Sequence, residues 1–252
     1  MILKRRLQDP LRRIEIVLVR PLRPGNIGAA ARAMKNMGLL RLVLVDPSGH
    51  AASGRSSEAY QMAYGASEIL DRVRVAKTLL QAVSRAGLVV GTTVRHHKGY
   101  GRLLPLPQVV PEILSCATRQ RVAVVFGSER TGLTNDEIAL CQRLVVIPTA
   151  PAFPSLNLAQ AVIVVLYELF RGSQKKATPP GRAPDRLLAP SKELERFYDD
   201  LEQLLIRISF VKGRQGRFIL ADLRRIFGRS GLDSREIRIL RGILRQIRSA
   251  GR

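Results

Sequence analysis

The 252 residues, 46% of them hydrophobic, exclude disorder over the whole chain and leave room for one large domain or one domain with a small companion. Lys and Arg number 42 against 20 Asp and Glu, a formal net charge of +22 that a polyanionic partner explains best, nucleic acid being the default and a merely solvated basic surface the alternative. Two cysteines, Cys116 and Cys141, argue against a disulfide scaffold and a cysteine zinc site and fit a reducing, cytoplasmic setting. No apolar run approaches the ~20 residues that a membrane-spanning helix needs, so no membrane partner is expected.

In chain order, a basic start (Lys4, Arg5, Arg6, Arg12, Arg13) precedes the short apolar run Ile14–Val19. That run is too brief for a signal-peptide core and ends at Arg20-Pro21, so it reads as a first core strand. Further strands are predicted at Leu42–Val45, Leu88–Gly91, Val122–Phe126 and Leu144–Ile147. Helices are predicted at Ile27–Met37, with Asn26 as its cap, at Leu79–Arg85 and at Asn157–Phe170. Apolar strands alternating with helices imply an α/β fold, a parallel sheet with helices on both faces. In such sheets ligands sit at the carboxyl ends of the strands, which directs attention to the loops there.

Three of those loops carry chemistry-bearing residues. After the first strand comes Pro24-Gly-Asn26-Ile-Gly28-Ala-Ala-Ala-Arg32, a glycine-flanked turn into a helix whose N-terminus suits an anion. It is neither a GxGxxG nor a Walker A sequence. Asn26 reads equally as an N-cap, and Arg32 as a surface arginine or a group turned back toward the turn. After Val122–Phe126 comes Gly127-Ser128-Glu129-Arg130-Thr-Gly132-Leu133, where Gly127 permits close approach of a ligand to the backbone and Glu129 is positioned to pair with an arginine or an amine. After Leu144–Ile147 comes a proline-rich loop ending in Pro154-Ser155-Leu156-Asn157, again open to a capping reading. His96 and His97, beside Arg95, Lys98 and Arg102, lack acidic or cysteine neighbours at ligand spacing, so the loop reads as an RNA-facing basic segment and no metal is expected.

Residues 172–184, polar and rich in Pro and Gly, read as a linker, which divides the chain into 1–171, 172–190 and 191–252. The last part is helical by pattern. Ser191 is read as the cap of a helix with Leu194, Phe197, Tyr198, Leu201, Leu204 and Leu205 on one side. A helix over Arg235–Arg248 is expected to bury Ile237, Leu240, Ile243, Leu244 and Ile247. Arg238, Arg241, Arg245 and Arg248 share its other face, a spacing that suits either phosphate tracking or a solvated face.

Taken in order, Asn26-Ile-Gly-Ala-Ala-Ala-Arg32, Phe126-Gly-Ser-Glu129-Arg-Thr-Gly132-Leu133 and Ser155-Leu-Asn157-Leu-Ala resemble the three signature motifs of the SPOUT superfamily, in its SpoU/TrmH branch. Leu194-Glu-Arg-Phe-Tyr198, Leu201–Leu205 and Ile239–Leu244 are similar to the helical C-terminal domain of bacterial tRNA cytidine/uridine 2′-O-methyltransferases. The resemblance implies a deep C-terminal trefoil knot and a homodimer with the active site at the subunit interface. It further implies S-adenosylmethionine as cofactor and ribose 2′-O-methylation of nucleotide 32 in the tRNA anticodon loop. Carried over by position, Thr92, Thr93, Val94, Gly127, Ile147, Pro154, Ser155 and Leu156 would hold the cofactor. Arg32, Asn26, Ser155, Asn157 and Glu129 would form the catalytic set, and Arg95, Arg130, Arg238, Arg241, Arg245 and Arg248 would meet the RNA. Relatives often carry Arg where this chain has Ser128, with Arg130 here as the substitute basic charge. An rRNA-directed enzyme and a non-catalytic RNA-binding module are the competing readings.

Overall fold

The computed structural model describes residues 9–47, 56–95, 103–174, 187–211 and 215–250. After a 3-10 turn at Pro10–Arg13, seven strands form one sheet: β1 (Ile14–Val19), β2 (Arg41–Val45), β3 (Arg74–Ala76), β4 (Leu88–Thr92), β5 (Leu103–Pro105), β6 (Val122–Phe126) and β7 (Arg143–Val146). Their order across the sheet is β3-β2-β1-β6-β4-β7-β5, and every pairing is parallel. The expected parallel sheet is therefore present, with two three-residue edge strands, β3 and β5, that the sequence pattern did not reveal.

All six residues of β1 are buried, as a central strand covered on both faces requires. Ile14, Ile16 and Leu18 face one apolar cluster and Val17 and Val19 the other, the period-2 alternation of a strand. The first cluster is closed by α1 (Pro24–Asn36), α2 (Ser57–Met62), α3 (Ser67–Asp71), α5 (Leu106–Ala117) and α7 (Leu158–Gln174). The second is closed by α4 (Leu79–Val83) and α6 (Asn135–Ala139). The twelve-residue α5 was not anticipated from the sequence: Pro107 and Pro111 punctuate it, yet Pro107 lies in its first turn, where a missing N–H costs nothing.

The three last helices are α8 (Ser191–Arg207), α9 (Gln215–Ser230) and α10 (Ser234–Ala250). Leu194, Phe197, Tyr198, Leu204, Ile237 and Leu244 form their common core. The Phe197 ring meets Phe227 edge-on with centroids 5.1 Å apart, and the Arg224 guanidinium sits 4.3 Å over the Tyr198 ring while pairing with Glu195 at 2.6 Å. Burial raises the Tyr198 hydroxyl to about 12, so the phenol stays neutral beside that cation.

Several local expectations are corrected. Asn26 lies inside α1, whose cap is Arg23, because Pro24 starts the helix two residues earlier. Ser191 is the first residue of α8 and Pro190 its cap; the Ser191 hydroxyl instead donates to the Ala86 carbonyl at 3.0 Å and anchors the helix to the turn before β4. The N-terminus of α10 is capped by Asp233, whose side chain accepts from Glu236 N–H at 2.8 Å while Glu236 accepts from Asp233 N–H at 2.9 Å. Ile237 and Leu244 are buried as expected, but Ile243 and Ile247 are about half exposed, since α8 covers a stripe narrower than the apolar run.

Gly28 explains part of the first motif in packing terms. A Cβ there would stand 2.1 Å from the Ala59 carbonyl oxygen, so α1 and α2 touch backbone to backbone. Gly28→Ala is expected to destabilise the fold by about 1–3 kcal/mol, read as a lowered denaturant midpoint at unchanged slope.

Candidate active site

Three loops leave the carboxyl ends of β1, β6 and β7 and are fastened to one another by side chains. Arg20 ends β1 in a left-handed conformation, φ +47°, which a non-glycine residue holds only when its surroundings fix it. Its guanidinium pairs with Glu137 in the first turn of α6 and reaches the Gly132 carbonyl at 3.3 Å. The hydrogen bond that the guanidinium donates to Glu137 raises its pKa, burial opposing it. Glu137 also accepts from Thr134 N–H at 2.8 Å in a capping box, so one carboxylate serves both the helix start and the strand end.

Glu129 joins the second loop to the first. One carboxylate oxygen accepts from the Asn26 side-chain amide at 2.9 Å and the other from Leu22 N–H at 3.0 Å. Asn26 in turn accepts at its Oδ1 from the Asn157 amide at 3.2 Å. Asn157 Oδ1 accepts from Ala159 N–H at 2.9 Å and caps α7. A continuous chain Glu129–Asn26–Asn157 therefore ties together residues 103 and 131 positions apart in the sequence. The structure brings these three candidates together and gives each a partner that the sequence could not name.

The expected anion site at the start of α1 is not open. Glu58 accepts from Gly25 N–H at 3.1 Å, so one of the chain's own carboxylates already meets that helix start, and Glu129 accepts from Leu22 N–H just ahead of it. Gly127 is also explained differently. A Cβ on it would lie 2.2 Å from the carbonyl carbon of Gly132 and 2.3 Å from Leu133 N, so its bareness lets the loop fold back on itself. The Gly132 N–H donates to the Ser128 carbonyl at 2.8 Å, and Gly132 takes φ +68°, which suits glycine. Ser128 is buried under this bridge, while Arg130 is exposed at its tip.

The loops after β4, β6 and β7 line a cavity of about 170 Å³, to which the loop after β1 contributes no residue. All eight residues assigned to the cofactor line it: Thr92, Thr93 and Val94 from the end of β4, Gly127, Ile147, and Pro154, Ser155 and Leu156. Glu129, Arg95 and Arg130 also border it. Phe126, Leu133, Leu158 and Ala161 give it an apolar part, and most of the remaining lining comes from loop residues. The Thr92 hydroxyl is committed to the Val125 carbonyl at 3.0 Å, so that residue contributes shape rather than a free donor. An apolar part beside polar loop residues fits a planar heterocycle carrying a charged tail.

Arg32 lies elsewhere. It is exposed on α1, its guanidinium 5.7 Å from the Tyr64 ring centre, and it does not line the cavity of its own chain. Six positions along a helix turn it well away from Asn26. On α10, Arg238 and Arg245 are exposed, whereas Arg241 pairs with Asp200 at 2.6 Å and Arg248 donates to the Asp200 carbonyl and Gln203 at 2.9 and 3.0 Å. His96, His97, Lys98 and Arg102 lie outside the described residues. Arg20, Glu137 and Glu58 belong to this end of the sheet and were missed; the Thr134-x-x-Glu137 spacing was a readable capping signal.

Comparison with known proteins agrees with this architecture along the chain. A model of the SpoU rRNA methylase family matches residues 13–167, and one of the TrmJ C-terminal domain matches residues 192–252. The tRNA (cytidine/uridine/adenosine-2′-O-)-methyltransferase TrmJ of Pseudomonas aeruginosa is 42% identical over 96% of both chains. The tRNA (cytidine/uridine-2′-O-)-methyltransferase TrmJ of Cronobacter sakazakii is 40% identical over 95% of this chain and 98% of its own. The crystal structure of TrmJ from Zymomonas mobilis ZM4 (Z. mobilis) superposes with a TM-score of 0.77 at 36% identity, covering 93% of this chain and 98% of that one. With both parts matched and the three motif loops tied together through Asn26, the chain belongs to the SpoU methylase family and, within it, to the TrmJ methyltransferases.

Proposed function

We propose that this protein methylates the ribose 2′-oxygen of nucleotide 32 in the tRNA anticodon loop, accepting cytidine and uridine. The observation that supports this reading is the Glu129–Asn26–Asn157 chain, which ties the first motif loop to the second and third, together with a cavity between those two whose lining includes every cofactor position carried over from the motifs. Residues 1–171 would carry the chemistry, 172–190 would link, and 191–252 would grip tRNA. The deep trefoil knot belongs to the same reading. S-adenosylmethionine, when bound, supplies a sulfonium methyl group that is already a good electrophile.

The remaining work falls to the chain's own residues. The ribose hydroxyl is a weak nucleophile that must be positioned, and its growing negative charge must be stabilised. Thr92, Thr93, Val94, Gly127, Ile147, Pro154, Ser155 and Leu156 would hold S-adenosylmethionine, and the hydroxyl proton would leave to water or phosphate. Arg32 stabilises the incipient alkoxide, since a guanidinium is a poor base and a good cation. Because Arg32 faces away from its own cavity, it serves the cavity of a second copy in a homodimer. Exposed Leu22, Phe153 and Tyr167 supply apolar surface for that contact. Ser155, exposed at the cavity rim, holds the nucleotide side.

A labelled-methyl transfer assay with total tRNA, followed by nuclease digestion, is expected to yield 2′-O-methylcytidine and 2′-O-methyluridine from position 32. Label in rRNA alone would move the substrate, and tight tRNA binding without transfer would leave a binding module. Arg32→Ala is expected to cut turnover at least about 100-fold with cofactor affinity retained; equal loss of both would make Arg32 structural. In the C-terminal helices, Arg238→Glu with Arg245→Glu is expected to flatten the salt dependence of tRNA binding. Arg241→Glu, which breaks the Asp200 pair, is expected chiefly to lower thermal stability.

A further inference from the structure

The opposite end of the sheet holds a second, broader cavity of about 650 Å³, where the amino-terminal ends of β1, β2, β3 and β6 meet. Six arginines line it, Arg12, Arg41, Arg72, Arg74, Arg85 and Arg121, against one carboxylate, Glu15. Glu15 is 4% exposed. It accepts from Arg121 at 3.1 Å and pairs with Arg74 at 3.7 Å, so its charge is spent orienting two of the six. Arg74 also donates to the Ala82 carbonyl at 2.7 Å, and Arg41 to the Arg12 carbonyl at 2.9 Å, which fixes these stems at the rim. Arg12 and Arg85 make no ion pair among the described residues. Crowding like charges around a concave surface is unfavourable unless an anion shares it. Guanidinium forks match phosphate oxygens in pairs.

The position of the cavity points to its occupant. Ser84 and Arg85 border it, and the Ser84 and Ala86 carbonyls accept from the first residues of α8, Lys192 and Ser191. The basic cavity thus adjoins the turn on which α8 begins, at the end of the sheet away from the methyl-transfer cavity. We propose that it seats consecutive phosphates of the RNA backbone, as a second contact that holds the substrate while its target loop reaches the other end of the sheet. This rests on an RNA substrate but not on where, or whether, a methyl group is transferred. The same chemistry would suit a free polyphosphate, which the test separates.

The experiment is equilibrium binding of labelled tRNA transcript to the full-length protein between about 50 and about 200 mM salt, for wild type, Arg85→Gln, Arg12→Gln/Arg85→Gln and Arg171→Gln. Arg171 is a surface cation outside the cavity and controls for net charge. The slope of log affinity against log salt is expected to fall by about 0.8 for the single cavity variant and about 1.5 for the double, with Arg171→Gln near wild type. Tripolyphosphate should compete with tRNA on wild type and less on the double variant. Unchanged slopes, an equal fall in Arg171→Gln, or no tRNA binding would overturn the proposal. Thermal protection by tripolyphosphate with unchanged tRNA slopes would also overturn it and assign the cavity to a free anion. A lowered slope in a protein that transfers no methyl group would keep this cavity and sink the methyltransferase reading.

Discussion

Two hydrogen bonds on one asparagine organise the reactive end of this protein. Asn26 donates to Glu129 and accepts from Asn157, so its amide is locked in one orientation by the network itself. Glu129 spends its other oxygen on Leu22 N–H, and Asn157 spends its carbonyl oxygen on the start of α7. Three loops with no sequence proximity therefore move as one. An amide is the side chain that can give and receive here; a carboxylate at position 26 would face Glu129 with like charge and no proton to offer. The neighbouring cavity depends on this fastening, because most of its lining residues lie in loops rather than in regular structure.

The two ends of the sheet divide the labour electrostatically. At the carboxyl ends, carboxylates are consumed internally: Glu129 on the first loop, Glu137 on Arg20, Glu58 on the start of α1. At the amino ends, arginines outnumber the one carboxylate that lies among them. In the C-terminal helices some arginines are structural, Arg224 against Tyr198 and Arg241 against Asp200, while Arg238 and Arg245 face solvent. Not every positive charge in a basic protein is thus available to a polyanion, and the structure sorts those that are.

What the sequence made legible follows from period and length. The five longer strands carry short apolar runs rich in Val, Ile and Leu, and α7 and α8 carry strong apolar patterns, so these were readable. β3 and β5 were not, because three residues at a sheet edge show no period, and α5 was hidden by its prolines. The motifs were legible; the cavity is lined by the eight positions carried over for the cofactor and by Glu129, but not by Asn26, Asn157 or Arg32. Their partners were not legible, since contacts such as Glu129 with Asn26 depend on strand order, which places β6 beside β1 despite the long stretch between them. Gly127 and Gly28 show the same limit: both invite a ligand-approach or turn reading, and both are bare for backbone packing.

The most direct test of the fastening is a double-mutant cycle on Asn26→Ala and Asn157→Ala, with S-adenosylmethionine affinity by calorimetry and unfolding free energy as readouts. If the two side chains act through one shared bond, the double variant will lose less than the sum of the single losses, by about 0.5–3 kcal/mol. Strict additivity, with each single variant retaining full cofactor affinity, would contradict the claim that this chain of bonds shapes the cavity.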